Sequence, residues 1–178
     1  MAKINRIKTY QVKSGQSYFF DNNVWMFLFA PIAGVDRKKQ KEYAALLKEI
    51  QTTRSSVFVT SLILSEYANR CLRLSFDLWK KEKGRPGSDY KKEYRQTPDY
   101  QDALADVREQ IKAILKIAEK RPDDFAAIDI LKVLSNTTIS DFNDAYYIEL
   151  CKMNRLKIVT DDQDFLAIPD NVDVEIIT

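Results

Sequence analysis

The sequence predicts an α/β fold, a three-layer α/β/α sandwich built around a mainly parallel central sheet. Short apolar runs typical of buried strands alternate along the chain with longer segments whose apolar residues recur at helical spacing. Such alternation is typical of a parallel sheet with helices on both faces. The chain has 178 residues, 45% hydrophobic and 30% charged, which suffices for one domain with a core and is short for two. We therefore expect residues 1–178 to form one domain.

The first half of the chain predicts two strands and three helical segments. The run Ser-Val-Phe-Val is rich in β-branched and aromatic residues, whereas Ile63, Tyr67, Cys71 and Leu74 recur at helical spacing. In order, the predicted elements are a strand at 17–20, a helical turn at 23–29 stopped by Pro31, a helix capped by Asp36, a strand at 56–60 and a helix at 62–79.

The second half of the chain continues the alternation of helices and strands. Leu104, Val107, Ile111 and Leu115 form one apolar helix face. The segment 125–134 fits either a helix or a strand, and we favour a helix. The predicted elements are a helix at 101–119, that helix at 125–134, a helix from Asp141 to Met153 capped by Ser140, and strands at 157–160 and 172–177.

Two basic segments interrupt this pattern. Residues 1–16 carry four basic side chains and no acid, which predicts a basic N-terminal extension. Residues 80–100 contain Gly84, Pro86, Gly87 and Pro98 among many charged residues, which predicts a basic surface insertion.

The composition excludes several classes of site. The chain has no histidine, which excludes Ser-His-Asp and Cys-His catalysis and histidine-bearing zinc sites. Its two cysteines lie far apart within apolar patterns, so we expect buried, reduced thiols. The longest apolar stretch, 24–35, is shorter than the roughly 20 residues that span a membrane. No export signal precedes it, and we expect a cytoplasmic protein without a membrane segment.

Acidic residues recur just after the predicted strands or in the first turns of the helices that follow them. Because the carboxyl ends of parallel strands meet at one edge of a sheet, these side chains are expected to lie together. Carboxylates crowded in this way repel one another unless a cation neutralises them, and oxygen ligands alone favour Mg²⁺ or Mn²⁺. Singly, each acid is as well explained as a helix cap, a turn residue or, for Glu66, a solvated position on a helix. The acids are Asp21, Glu66, Asp141, Asp144, Asp161, Asp162 and Asp164.

Four segments resemble, in order, the acidic motifs of PIN domains. They are FFDNNV at 19–24, VTSLILSEYANR at 59–70, DFNDAYYI at 141–148 and IVTDDQDF at 158–165. The resemblance covers roughly residues 17–79 and 138–177. Asn22 departs from it, since Thr or Ser is more usual at that position.

The resemblance implies a metal-dependent nuclease that cleaves RNA phosphodiester bonds. Asp21, Glu66, Asp144 and Asp162 would be the catalytic and metal-binding acids, with Asp164 as a further ligand. Which of Asp161, Asp162 and Asp164 binds the metal stays open. Four side chains are expected to orient these acids: Asn23, Thr160, Asp141 and Asp161.

The same resemblance implies partners. Bacterial members are largely VapC-like toxins, so an RNA substrate and an antitoxin protein are expected, and a homodimer is compatible with the family. Independently of the resemblance, the tyrosines at 90, 94 and 100 are candidates to stack on the bases of a single strand. Basic residues of three segments are candidates for contacts with phosphate: the N-terminal arm, the run that begins at Arg37 and the 80–100 insertion. A solvated surface explains these charges equally well. The candidates singled out are Arg37, Lys38, Lys39, Lys80, Lys81, Lys91 and Lys92.

Three alternatives remain at this stage. The first is a PIN-like module whose role is to dock a partner protein, and the second is a PIN nuclease that processes RNA and is not a toxin. The third, a phosphatase of the haloacid-dehalogenase type with Asp21 as nucleophile, is disfavoured because that type needs a second Asp two residues later, where this chain has Asn23.

Overall fold

One all-parallel sheet of six strands organises the computed structural model, which describes residues 3–30, 36–137, 141–167 and 173–178. The strand order across the sheet is β1-β6-β5-β2-β3-β4. The strands are β1 (Lys3–Asn5), β2 (Ser17–Phe20), β3 (Ser56–Val59), β4 (Glu119–Lys120), β5 (Lys157–Val159) and β6 (Glu175–Ile177).

Six α-helices accompany the sheet in the α/β/α arrangement that the alternating pattern predicted. They are α1 (Asn22–Phe29), α2 (Arg37–Thr52), α3 (Ser61–Glu82), α4 (Pro98–Ile117), α5 (Ile130–Asn136) and α6 (Phe142–Asn154). The central strands are apolar on both faces because helices cover both: Tyr18, Phe19 and Phe20 of β2 are each fully buried. The predicted fold class is therefore confirmed.

The carboxyl ends of β2 and β5 lie side by side. Phe20 pairs with Val159, and the backbone N–H of Asp21 donates to the carbonyl of Val159 at 2.9 Å. Asp21 and Thr160 therefore leave the sheet at the same point, although 139 positions separate them in the sequence.

The N-terminal segment belongs to the sheet, in contrast to its prediction as an extension. Lys3–Asn5 forms the edge strand β1, which pairs in parallel with β6. The side-chain amide of Asn5 donates a hydrogen bond to the carboxylate of Glu175 at 2.9 Å. So short and polar a strand carries almost no periodic signal, and its partner lies at the other end of the chain.

The segment 80–100 is packed more closely than a surface insertion. Helix α3 continues to Glu82 and α4 begins at Pro98. Tyr94 is buried against Phe76 and Trp79 of α3, with its ring centroid 5.3 Å from both, and the buried Tyr100 packs in turn on Tyr94, 5.6 Å between centroids. The expectation that these two tyrosines stack on bases is wrong, because their rings are used to hold the segment against α3.

Several element boundaries also differ from the predicted ones. Residues 125–129 are not helical, and α5 begins after Asp129, whose carboxylate caps it. The helix predicted at 101–119 ends at Ile117, because Glu119 and Lys120 form strand β4 and pair with β3. The proposed cap Ser140 lies outside the described residues, and Asp141 caps α6 by accepting the N–H of Asp144 at 3.0 Å.

Two expectations about the chain as a whole can be compared with the structure. Both cysteines are buried and free, as expected. In the described ranges, no helix is both long enough and apolar enough to cross a membrane.

Candidate metal centre

An acidic cleft of about 320 Å³ opens at the carboxyl edge of the sheet. Side chains from four separate segments meet there, because β2, β3 and β5 end at this edge and α6 begins at it. The lining residues are Asp21, Asn22, Asn23, Met26, Phe27, Glu66, Arg70, Asp141, Asp144 and Asp162. The cleft thus contains the four acids that the sequence motifs singled out.

Thr160 connects the acids that follow β2 and β5. Its hydroxyl donates to Asp21 Oδ2 at 2.7 Å and accepts the N–H of Asp162 at 3.0 Å. Asn23 Nδ2 also donates to this hydroxyl at 3.3 Å, while Asn23 Oδ1 accepts the N–H of Asp161 at 3.1 Å. Thr160 is fully buried, so this network fixes the positions of both turns without help from solvent.

Two residues of α6 hold Glu66. The hydroxyl of Tyr147 donates to Glu66 Oε2 at 2.9 Å, and Asn143 Nδ2 donates to the same oxygen at 3.1 Å. Tyr147 is fully buried. One carboxylate oxygen is therefore committed to α6, which orients the group and leaves Glu66 Oε1 for other contacts.

Among the described residues, Asp144, Asp162 and Asp164 form a candidate set of ligands for a metal ion. Each offers one carboxylate oxygen, and these three oxygens lie within 4.8 Å of one another. The N–H of Asp164 donates to Asp162 Oδ1 at 2.9 Å, which ties the last two together. Asp21 and Glu66 line the same cleft but stand outside this group.

Crowding and burial favour the protonated form of two of these acids. Burial raises the pKa of Asp144 to about 8, and the carboxylates of Asp141, Asp21, Asp162 and Glu66 add to the rise. A site that resists negative charge in this way gains most from a bound cation.

The pKa of Asp21 is also raised, although two hydrogen bonds act in the opposite direction. Burial raises the pKa of Asp21 to about 6, although hydrogen bonds from Thr160 and the Asn22 amide lower it, and nearby carboxylates raise it further. The two donors keep Asp21 nearer to its ionised form than Asp144.

The metal-free protein should lose stability as the pH rises. A carboxyl whose pKa is higher in the folded state binds more protons there than in the unfolded state, so stability falls between the ordinary pKa of 3.8 and the folded-state pKa of about 8. In EDTA, the melting temperature should therefore drop from pH 5 to pH 8, at about 2–4 °C for each kcal/mol lost. The variant Asp144→Asn should flatten this decline, and an equally steep decline in that variant would contradict the assignment.

Comparison with known proteins agrees with this arrangement. The family model described as "PIN domain" matches residues 18–171. The chain belongs to the PIN-domain family. PIN domains are nucleases, and the match includes every acid of the cleft.

A solved structure shows the same fold as this PIN domain. It is a chain of the VapBC2 complex from Rickettsia felis, crystallised with a DNA fragment from the promoter of these proteins. The TM-score is 0.51 at 15% identity, and the alignment covers 92% of this chain and 98% of that chain. No curated protein matched the chain in sequence.

The residues expected to orient the acids take different positions in this PIN domain. Asp141 lines the cleft and caps α6. Asp161 points toward α2, where its carboxylate accepts hydrogen bonds from Lys39 Nζ at 2.6 Å and from the Tyr43 hydroxyl at 3.2 Å. Its charge is thus neutralised by Lys39 and adds little to the repulsion in the cleft.

The basic candidates lie in two groups. Arg37, Lys38 and Lys39 form the first turn of α2, next to the turn after β5. Lys80 pairs with Asp77 at 2.9 Å near the far end of α3. The remaining candidates are exposed on or near the end of that helix: Lys81, Lys91 and Lys92.

Sequence reasoning missed three residues of the cleft region: Asn143 and Tyr147 hold Glu66, and Arg70 contributes a positive charge. Asn22, the position that departs from the family motif, has its Oδ1 buried without a hydrogen-bond partner among the described residues. The spacing of Asn143, Asp144 and Tyr147 on one side of α6 was a usable signal for Asn143 and Tyr147.

Proposed function

We propose that this PIN domain is a Mg²⁺- or Mn²⁺-dependent endoribonuclease and the toxin of a toxin–antitoxin pair. The observation that carries the proposal is the convergence of Asp21, Glu66, Asp144 and Asp162 on one cleft. These residues come from four segments, and their mutual repulsion would be costly without a cation.

The donor set fits such an ion. Asp144, Asp162 and Asp164 would hold it through oxygens already close together, and the residues that line the cleft offer no thiolate or imidazole ligand. Mg²⁺ usually retains several of its waters, and Asn22 Oδ1, buried in the cleft wall, has no hydrogen-bond partner among the described residues. When bound, the ion supplies an acidified water and stabilises charge on the phosphate.

The chain's own residues prepare the site for this chemistry. Thr160 fixes Asp21 and Asp162 relative to each other, and Tyr147 with Asn143 fixes Glu66. Fixed positions of this kind lower the reorganisation needed during the reaction. In the reaction, water adds hydroxide to phosphorus and the bond from phosphorus to the 3′ oxygen breaks. A proton passes to that oxygen, leaving a 5′-phosphate and a 3′-hydroxyl.

An antitoxin partner is part of the proposal. The similar VapBC2 chain was solved in a complex named for a toxin and its antitoxin, and at 15% identity it supports the fold alone. The cleft carries an excess of negative charge, which suits a basic side chain of an inhibitory protein. With RNA as substrate and such a partner, the proposed reaction belongs to the cytoplasm, and a homodimer stays a prediction.

Cleavage of single-stranded RNA with identification of the product ends tests the proposed activity. Wild-type protein with Mg²⁺ or Mn²⁺ should cut within the strand and leave 5′-phosphates that an adaptor ligation detects. Cyclic or 3′-phosphate ends would contradict hydrolysis by this route. Well-folded protein that cuts no RNA with either metal would favour the docking module instead.

Co-expression separates a toxin from a nuclease of RNA processing. If the chain is a toxin, its expression should arrest growth, and the product of a small neighbouring reading frame should restore it. Growth unaffected by the active wild-type protein would favour RNA processing.

A further inference from the structure

One face of α3 carries a regular series of charged residues that begins in the acidic cleft. Glu66, Arg70, Arg73, Asp77 and Lys80 are spaced by four, three, four and three residues, which places them on a single helix face. The opposite face of α3 is buried in the core, so this side is the open one. We call Arg70, Arg73, Asp77, Lys80 and Lys81 the α3 track.

Arg70 is the member of the α3 track nearest to the proposed metal centre. It lines the cleft together with Asp21 and Asp144, and its side chain is exposed. Within the described part of the chain, none of the ion pairs closer than 4.0 Å involves Arg70. Its guanidinium is therefore available to bind an anion that enters the cleft. Arginine suits this role because it can form two parallel hydrogen bonds with a phosphate.

The next members are held in place by aromatic rings. The guanidinium of Arg73 lies 4.1 Å from the ring centroid of Tyr90, and Lys80 Nζ lies 4.5 Å from that of Phe76. Tyr90 and Phe76 also contact each other, at 5.3 Å between centroids. The segment 83–97 thus borders the α3 track and fixes its cations, which lowers the entropy lost when they bind.

The α3 track is positive even though it contains an acid. Asp77 is paired with Lys80 at 2.9 Å, which leaves three of its four cations without an acidic partner on the track. The exposed Lys91 and Lys92 directly follow Tyr90, whose ring contacts Arg73 of the track. A net charge of only +2 for the whole chain means that such a surface results from local segregation.

We propose that the α3 track binds the sugar–phosphate backbone of the RNA on one side of the scissile phosphate, with Arg70 contacting the first phosphates and Arg73 those beyond. This inference rests on the proposed function. Fourteen residues separate Glu66 from Lys80, which is about 21 Å along the helix axis. At the ~3.4 Å rise of a stacked strand, that length takes about six nucleotides.

Binding and cleavage of single-stranded RNA oligonucleotides test the α3 track. The variants are Arg70→Gln and Arg73→Gln, which keep part of the packing stem, with Lys48→Ala as control because Lys48 is an exposed cation in the later turns of α2. We expect the affinity to fall severalfold in each Arg variant, with KM rising more than kcat falls. The slope of log K against log salt should decrease by about 0.7 for each lost contact, while Lys48→Ala should match wild type.

Substrate length provides a second readout that a purely structural role would not change. Extending the RNA on one side of the cut site should tighten binding up to about six nucleotides and no further. Extension on the other side should have less effect, and Arg73→Gln should remove the dependence on length. Unaltered affinity, salt slope and length dependence in both Arg variants would overturn the α3 track.

These outcomes are distinguishable from failure of the proposed function. If wild type cleaves RNA and the Arg variants behave like it, the proposed role of the α3 track is wrong and the proposed nuclease activity is supported. If wild type binds RNA without cleaving it and the Arg variants bind more weakly, the role of the α3 track is supported and the nuclease activity is wrong. If wild type neither binds nor cleaves RNA, both fail.

Discussion

Replacing Asp144 by Asn is expected to lower the rate of RNA cleavage by more than about 100-fold, because even a residue that only orients a metal ligand contributes about 10–100-fold. Asp144 is partly buried and belongs to the candidate set of ligands with Asp162 and Asp164. The variant should fold, since Asn removes the free-energy cost, present at neutral pH, of folding with a carboxyl whose pKa is raised to about 8.

Asp141→Asn provides the matched control for Asp144→Asn. Asp141 is close in sequence and lines the same cleft, but its carboxylate caps α6. Asn is an equally good cap, so this change should reduce cleavage far less. The double variant Asp21→Asn, Asp144→Asn should be hardly slower than either single variant, because residues that act as one unit fail together. Multiplied losses in the double variant, or full activity in Asp144→Asn, would contradict a shared site.

Tyr94→Ala is expected to destabilise the protein by about 3–5 kcal/mol, as other large-to-small changes of buried aromatic residues do. Tyr94 is fully buried between α3 and α4, where it contacts the rings of Phe76, Trp79, Tyr90 and Tyr100. Its hydroxyl is also 2.7 Å from Ser75 Oγ. Denaturant unfolding measures the change in the free energy of unfolding.

Two further variants divide the effect of Tyr94 into its parts. Tyr94→Phe removes only the hydroxyl and should cost about 1 kcal/mol. Lys91→Ala alters an exposed side chain of the same segment and should stay within about 0.5 kcal/mol of wild type. A cost below about 1 kcal/mol for Tyr94→Ala would mean that the segment is a surface insertion, as the sequence had predicted, since surface changes seldom cost more.

The main elements were predictable where one local pattern determined them. The apolar stripe of α3, from Ile63 to Trp79, has one buried face and therefore a clear helical period. The turns after β2 and β5 were predictable for a similar reason, because a buried strand followed by Asp21 or by Asp161 and Asp162 predicts where the acids leave the sheet.

Features that depend on distant partners were not predictable. The β1 strand exists because of its pairing with β6, about 170 residues away. The burial of Tyr94 depends on how α3 and α4 pack, and the tyrosine-rich composition of that segment suggested base stacking equally well. The orientation of Glu66 by Tyr147 joins residues 81 positions apart. In each case the residue is visible in the sequence, but no local periodic pattern indicates which distant residue it contacts.

Titration of the purified protein with Mn²⁺ by calorimetry tests most directly whether the acids of the cleft form one metal centre. Wild type should bind Mn²⁺ saturably, and Asp144→Asn should lose most of this affinity while Asp141→Asn retains it. The affinity should also rise from pH 6 to pH 8, because protons compete with the ion for Asp144, whose pKa is raised to about 8. Heats of dilution alone for folded wild type at millimolar Mn²⁺ and pH 8 would contradict the metal centre.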